Sequence, residues 1–252
     1  MTPDERRHEI VKLVQNGKTV QVDELAERLA VSRMTIHRDL DLLASRGLLR
    51  KERGGATAES SLLFESNFHF RMQFGQEEKQ SLARAARALI EPGNVVMLDD
   101  STTTLMICDE LQTIEHVTVI TNSLAVCERL RSWVNVHLIL TGGSYNDTLQ
   151  GFYGLVCEQT VSKLRADWAF LSASSAIGTS LYHQDQEVVR VKRAFMASAE
   201  RSVMLLASSK FKRRALNHFA ELSEFERVFI DTGLDEASAQ RLRQAGIPFE
   251  LV

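Results

Sequence analysis

Across residues 3–15 the apolar positions Ile10, Val11, Leu13 and Val14 form a helical stripe between charged residues, and Pro3 falls near the first turn, where a missing N–H matters least. Asn16 and Gly17 both tolerate left-handed backbone and predict the stop. Val20-Gln21-Val22 reads as a short extended lead-in. Val22 or Asp23 then opens a second helix with Leu25, Ala26 and Leu29 on one face. Val31-Ser32 makes a tight turn. Ser32 is a good N-cap for a third helix, where Ile36, Leu40 and Leu43 recur at i, i+4 and i+7. Gly47 closes that helix. The run from Leu48 to Lys51 predicts a strand and Gly54-Gly55 a tight turn, together a basic hairpin beside the third helix.

The pattern then changes. Residues 57–78 lose the helical stripe and carry Phe64, Phe68, Phe70 and Phe74 among Ser, Asn and Gly, which reads as a linker that docks on the following domain. From Lys79 onward helical stripes alternate with continuous apolar runs. Strands are predicted at 95–99, 117–121, 136–142, 168–173, 202–209, 227–231 and 248–252. Helices fill 81–90, 102–111, 123–133, 155–164, 187–199 and 236–246, and 178–186 reads as a loose loop. Continuous apolar strands alternating with helices predict a parallel sheet covered on both faces. The chain so divides into a helix-turn-helix head with a wing (1–57), a linker (58–78) and an α/β domain (79–252).

Charge sharpens this division. The 252 residues carry a formal net charge of -3, yet residues 1–57 hold 11 basic and 9 acidic side chains, and residues 28–57 hold 7 and 3. A basic head on an acidic body suggests that the head meets a polyanion. Apolar content of 44% and charged content of 25% exclude a disordered or collagen-like chain. No apolar stretch reaches the ~18 residues of a membrane span, and the charged first residues hold no secretory core, so a cytoplasmic protein is expected. Cys108, Cys127 and Cys157 are odd in number without Cys-x-x-Cys spacing, hence expected as reduced core residues. The seven histidines are scattered, and neither a metal nor a cofactor is expected.

Two short helices joined by a tight turn, the second carrying Arg, Thr and His early, have the geometry that places a helix end in a DNA major groove. Arg donates two hydrogen bonds to guanine, and Thr touches a thymine methyl or a phosphate. A basic hairpin alongside is a wing for the sugar-phosphate backbone. The candidate contact set within the unit from about Val20 to Asp39 is Ser32, Arg33, Met34, Thr35, His37 and Arg38, joined by Arg50, Lys51 and Arg53 of the wing. The competing reading is a three-helix module that binds protein. The Ser32, Thr35, Ile36, Arg38, Asp39, Leu40 core and the Gly54-Gly55-Ala56 wing end resemble the N-terminal signature of the DeoR family of bacterial transcription regulators. His37 stands where that family usually has Arg, which implies weaker phosphate attraction and a mild pH dependence there.

In parallel sheets ligands sit beyond the carboxyl ends of strands. Those ends carry 99–104 (Asp-Asp-Ser-Thr-Thr-Thr), Thr121-Asn122-Ser123, Thr141-Gly142-Gly143-Ser144, Ser174-Ser175, Ser208-Ser209-Lys210 and Asp231-Thr232-Gly233. The hydroxyls and backbone N–H groups of Ser101, Thr102, Thr103 and Thr104 at a helix start suit a phosphate, and Lys210 supplies positive charge. Plain helix capping is the alternative. Asp99 and Asp100 would repel a phosphate, so at least one is expected to orient a ligand hydroxyl or cap the loop.

The body, over most of 77–252, resembles the DeoR-family sensor domain in the stretches LDDSTTT, VITNS, LTGG, ADWAFLS and SSKF. That resemblance implies the fold of ribose-5-phosphate isomerase and a phosphorylated-sugar effector. By position, Ser101, Thr102, Thr103 and Lys210 would hold phosphate, while Asn122, Gly142, Gly143, Glu187 and Lys192 would line the sugar side, with Asp100 and Thr104 in the same segment. Ser101 in place of a frequent Gly, and residues 172–176 in place of a Gly-rich stretch, are departures. The rival reading is a sugar-phosphate isomerase or deaminase using Asp167, Asp185, Glu187 and Lys192. Against it, Asp167 precedes its strand, Lys192 reads as solvated on a charged helix face, and 178–186 offers no tight constellation. The expectation is therefore a non-catalytic regulator, acting as a dimer or tetramer on double-stranded operator DNA and controlled by a small phosphorylated carbohydrate.

Overall fold

The computed structural model describes residues 1–15, 19–45, 48–57 and 67–252, and falls into two compact units, Met1–Gln73 and Phe74–Val252. The stops read at Asn16-Gly17 and Gly47, and Phe64, lie outside the described residues.

In the first unit, helix α1 (Pro3–Gln15) is followed by β1 (Val20–Gln21), α2 (Val22–Arg28) and α3 (Arg33–Ser45). Ile10, Val11, Val14, Leu25, Ile36, Leu40 and Leu43 are buried, so each amphipathic stripe faces one small core. Between α2 and α3 Ala30 adopts φ 52°, and the Ser32 hydroxyl accepts the Thr35 N–H at 3.1 Å, capping α3 as its sequence predicts. The wing consists of β2 (Arg50–Glu52) and β3 (Gly55–Thr57), and β1 joins it in the antiparallel order β1-β3-β2. The expected strand from Leu48 is corrected: Leu48 and Leu49 are buried ahead of β2 and anchor it. The turn also shifts by one, because Gly55 pairs with Gln21 and Glu52 as part of β3.

Gly55 is there for space. A Cβ at this position would lie 2.1 Å from the Val20 carbonyl oxygen. Gly55→Ala should therefore cost the head about 1–3 kcal/mol through backbone displacement. Faster amide hydrogen exchange in β1 and β3, with the helix Glu236–Gln244 of the second unit unchanged, is the expected reading.

The segment read as a linker contains structure. Asn67 caps α4 (Phe68–Met72) by accepting the Phe70 N–H at 3.0 Å, and α5 (Gln76–Arg87) starts within the segment. Residues 58–66 lie outside those described.

The second unit is built on a seven-stranded sheet. Its strands are β4 (Val95–Leu98), β5 (Val117–Thr121), β6 (Val136–Leu140), β9 (Ala166–Leu171), β12 (Ala199–Leu206), β14 (Arg227–Ile230) and β15 (Glu250–Leu251). They pair in parallel throughout, in the order β15-β14-β12-β9-β4-β5-β6. Ala169, Phe170 and Leu171 of β9 and Val203 to Leu206 of β12 are buried on both faces, which is why their sequences run apolar without alternation. Helices α7 (Leu124–Leu130), α8 (Leu155–Ser162), α9 (Gln186–Ser198) and α10 (Glu236–Gln244) connect the strands, α9 adding Val188, Val191 and Phe195 to the core.

Two expectations are corrected here, and a hairpin is added. The segment 102–111 is not one helix but a 3₁₀ turn (Thr104–Met106) followed by a single α turn, α6 (Ile107–Glu110). A hairpin of β7 (Ser144–Asn146) and β8 (Gly151–Tyr153) follows β6. The loose loop at 178–186 instead contains β11 (Ser180–His183), which pairs antiparallel with β10 (Ser175–Ile177) and β13 (Asn217–Glu221) in a second sheet. Asp185 then caps α9, accepting the Glu187 N–H at 2.7 Å. Burial raises the thiol pKa at each cysteine, to about 12 for Cys108, and all three are free. Among the described residues no helix is long and apolar enough to cross a membrane.

Candidate functional site

The exposed face of α3 carries Arg33, Met34, His37 and Arg38, while Thr35 is half-buried. Met34 is 62% exposed, an apolar side chain held out in water. Arg33 bonds to Asp23 of α2, and this contact is the main reason the Asp23 carboxyl is held below its ordinary range. The Ser32 and Thr35 hydroxyls lie 2.9 Å apart, so both belong to the helix cap. In the wing Arg50 pairs with Glu52 at 2.8 Å, Lys51 pairs with Asp41 of α3, and Arg53 is exposed. Arg38 and Arg53 have no carboxylate partner among the described residues.

Asp39 belongs to the same signature but points the other way. It is buried, and its two carboxylate oxygens accept the Nε groups of Arg6 at 2.6 Å and Arg7 at 2.8 Å. Thus α1 is clamped to the helix that presents Arg38. The only hint in the sequence is the spacing, since Asp39 shares the inward face with Ile36, Leu40 and Leu43.

In the second unit the strand order reverses at β4. The chain runs from β4 outward through β5 and β6, then returns to the other side of β4 with β9, β12, β14 and β15. The crevice beyond the carboxyl ends of β4 and β9 is such a switch point, where open α/β sheets bind ligands. The residues after β4 sit in that crevice.

They divide into two sets. Asp99 organises the turn: Oδ1 accepts the Ser101 N–H at 2.9 Å and the Thr104 hydroxyl at 2.7 Å, while Oδ2 accepts the Ser172 N–H at 3.0 Å from the end of β9. Ser101 caps the 3₁₀ turn by accepting the Thr104 N–H at 3.1 Å. Thr102 and Thr103 are left over. Both are buried, and among the described residues neither their N–H groups nor their hydroxyls have a protein partner. Two free N–H and two free O–H groups in a buried turn form a cradle for an anion or a hydroxyl-rich ligand. With only a short 3₁₀ and α segment behind it, the cradle relies on these donors rather than on a long helix dipole.

A charged cluster lies beneath. Lys192 is 2% exposed and bonds to Asp99 Oδ2, with Asp100 Oδ1 at 3.8 Å, so the solvated placement expected for Lys192 is corrected. Its spacing from Val188 and Phe195 puts it on the inward face of α9. Asp100 Oδ2 accepts the Tyr153 hydroxyl at 2.8 Å. Asn122 donates to the Phe152 carbonyl at 3.1 Å, and its own Oδ1 is buried without a partner among the described residues. Gly143 has φ 120°, and a Cβ there would meet the Tyr153 carbonyl at 2.5 Å. Gly142, with φ 70°, shares the turn after β6.

Not every expected residue joins this set. Glu187 is exposed in the first turn of α9. Lys210 is half-buried in the 3₁₀ turn Ser208–Lys212, after β12 and two strands from β4. Asp167 lies within β9 rather than ahead of it, and accepts the Val95 N–H at 2.7 Å, fixing the amino end of the sheet. Among the described residues no group of three or more His, Cys, Asp or Glu is placed to hold a metal ion.

Comparison with known proteins gives a match at both ends of the chain. A DeoR-like helix-turn-helix domain matches residues 6–62, and a DeoR C terminal sensor domain matches residues 75–232. A glycerol-3-phosphate regulon repressor of Haemophilus influenzae is 34% identical over 89% of this chain and 88% of its own. An L-fucose operon activator of the same organism is 32% identical over 88% and 89%. Among solved structures, ribose 5-phosphate isomerase A from Methanocaldococcus jannaschii overlaps with a TM-score of 0.39 at 18% identity, over 54% of each chain.

Proposed function

The chain belongs to the DeoR family of transcription regulators, and from there we propose that it represses a carbohydrate-metabolism operon, its grip on the operator set by a phosphorylated sugar held at Thr102 and Thr103. The observation that carries the effector reading is the buried cradle at the sheet's switch point, with donors that no protein group among the described residues uses. A phosphate oxygen accepts from each of those donors. Asp100 and the unpartnered Asn122 carbonyl oxygen then face the part of the ligand that bears hydroxyls. The similarity to a glycerol-3-phosphate regulon repressor and an L-fucose operon activator favours carbohydrate control.

In this reading Arg38, His37 and Met34 reach base edges, Arg53 and Lys51 follow the backbone of the duplex, and two heads of a homo-oligomer take two half-sites. The body acts as a sensor and not as an enzyme, in the cytoplasm where the chromosome is. Lys192 fits this reading as a structural residue, since it is held in a buried ion pair with Asp99. Ligand control requires unequal affinity for two arrangements of the oligomer.

The test separates the two halves. Arg38→Ala should weaken binding to the protein's own promoter region at least about tenfold, as expected for loss of one bidentate base contact. Its thermal stabilisation by a panel of phosphorylated sugars should persist. Thr102→Val/Thr103→Val should bind DNA normally and lose that stabilisation. Normal DNA binding by Arg38→Ala would overturn the helix placement, and undiminished ligand stabilisation in the valine variant would overturn the cradle.

A further inference from the structure

A second cavity, of about 310 Å³, opens elsewhere in the sensor unit. Its walls come from the turn between β10 and β11, from the residues just past β12, and from α10. Four of its lining side chains are cationic: Lys212, Arg213, Arg214 and Arg241. None of the lining residues is acidic. Lys212 and Arg214 have no carboxylate partner among the described residues.

One of these cations is held in place. Arg241 Nη2 donates to the Ser238 hydroxyl at 3.1 Å, and that hydroxyl donates to Asp235 Oδ2 at 3.0 Å. Asp235 caps α10 through the Ser238 N–H at 2.9 Å. The Arg241 guanidinium is thus fixed by the start of its own helix. Ile177, 49% exposed, and Phe211 give the cavity an apolar wall.

Like charges gathered around one concavity repel each other, and the repulsion is relieved by a bound anion. Guanidinium forks match the oxygen spacing of phosphate groups and bind them in pairs. The volume lies at the lower limit for small-molecule sites and leaves no room for a duplex or a folded peptide. We propose that this cavity is a second effector site, taking a small metabolite with a phosphate or diphosphate group, its charge held by Lys212, Arg214 and Arg241 and its carbon frame against Ile177 and Phe211.

The site is separate from the Thr102–Thr103 cradle. β12 stands two strands from β4 in the sheet, roughly 10 Å at ~4.8 Å per strand. A single phosphate or diphosphate group does not reach across that span, so the inference stands on its own residues, whatever the cradle binds.

Isothermal titration of the full-length protein with inorganic pyrophosphate at low ionic strength tests it. Thr102→Val/Thr103→Val should still take up pyrophosphate saturably. Adding Lys212→Gln and Arg214→Gln to that background should weaken uptake at least tenfold, while Arg214→Lys alone retains most of it. Both glutamine positions are exposed, so thermal melting should stay as in the parent. The proposal is overturned if the valine background takes up no pyrophosphate, or if the glutamine substitutions leave the isotherm unchanged.

Discussion

Replacing Lys192 by methionine should destabilise the sensor unit by about 3–5 kcal/mol, the range for removing one partner of a buried ion pair. Asp99 would remain as a carboxylate almost sealed from water, while its attraction to the ammonium is gone. Its three other donors, the Ser101 and Ser172 N–H groups and the Thr104 hydroxyl, place the loss toward the lower end. Methionine has nearly the length of lysine, so a cavity contributes little. Urea unfolding followed by tryptophan fluorescence reads this directly, since Trp133 and Trp168, the two tryptophans of the chain, both lie in the second unit. Adding Asp99→Asn should recover part of the loss, because the charge left behind is removed with it. An unfolding midpoint equal to that of the parent would mean that the pair is not formed in solution.

A comparable loss is expected in the head. Asp39→Ala should lower its stability by about 3 kcal/mol, because the buried Arg6 guanidinium loses its carboxylate. Tryptophan emission should not report this change. Amide hydrogen exchange should, with α1 and α3 losing protection while the second unit keeps it. Affinity for the proposed operator should fall as well, although Asp39 faces away from the surface that carries Arg38. Asp39→Asn keeps the shape and one acceptor, and should fall between. Unchanged exchange in α1 would show that the clamp contributes nothing.

The helix-turn-helix was legible in the sequence because every local cue agreed there. The Ser32 cap, the spacing of Ile36, Leu40 and Leu43 and the Gly-rich wing point to one answer without any distant contact. The parallel sheet was legible for a similar reason, since continuously apolar strands demand cover on both faces. What escaped notice was decided by residues far apart. Asp39 meets α1 from 32 and 33 positions away, and Lys192 meets Asp99 across 93. Strands β7, β8, β10 and β11 have three or four residues each and mixed polarity, too little for a period to register. The stretch 99–104 is legible as lying at a strand end, because the apolar run stops at Leu98. Its split into capping residues and spare donors depends on which hydroxyls Asp99 consumes, and no spacing rule reveals that.

The reversal of strand order at β4 has a consequence for how the cleft is made. Its floor comes from β4, but one bank is supplied by β9, roughly seventy residues later along the polypeptide. Any ligand resting there touches two stretches that a ribosome finishes at different moments. A chain interrupted between them would own the threonines yet lack the Ser172 amide and the Lys192 ammonium that hold Asp99 in place. In the proposed reading, recognition of the effector therefore becomes possible only late in synthesis, well after the helix-turn-helix end has emerged.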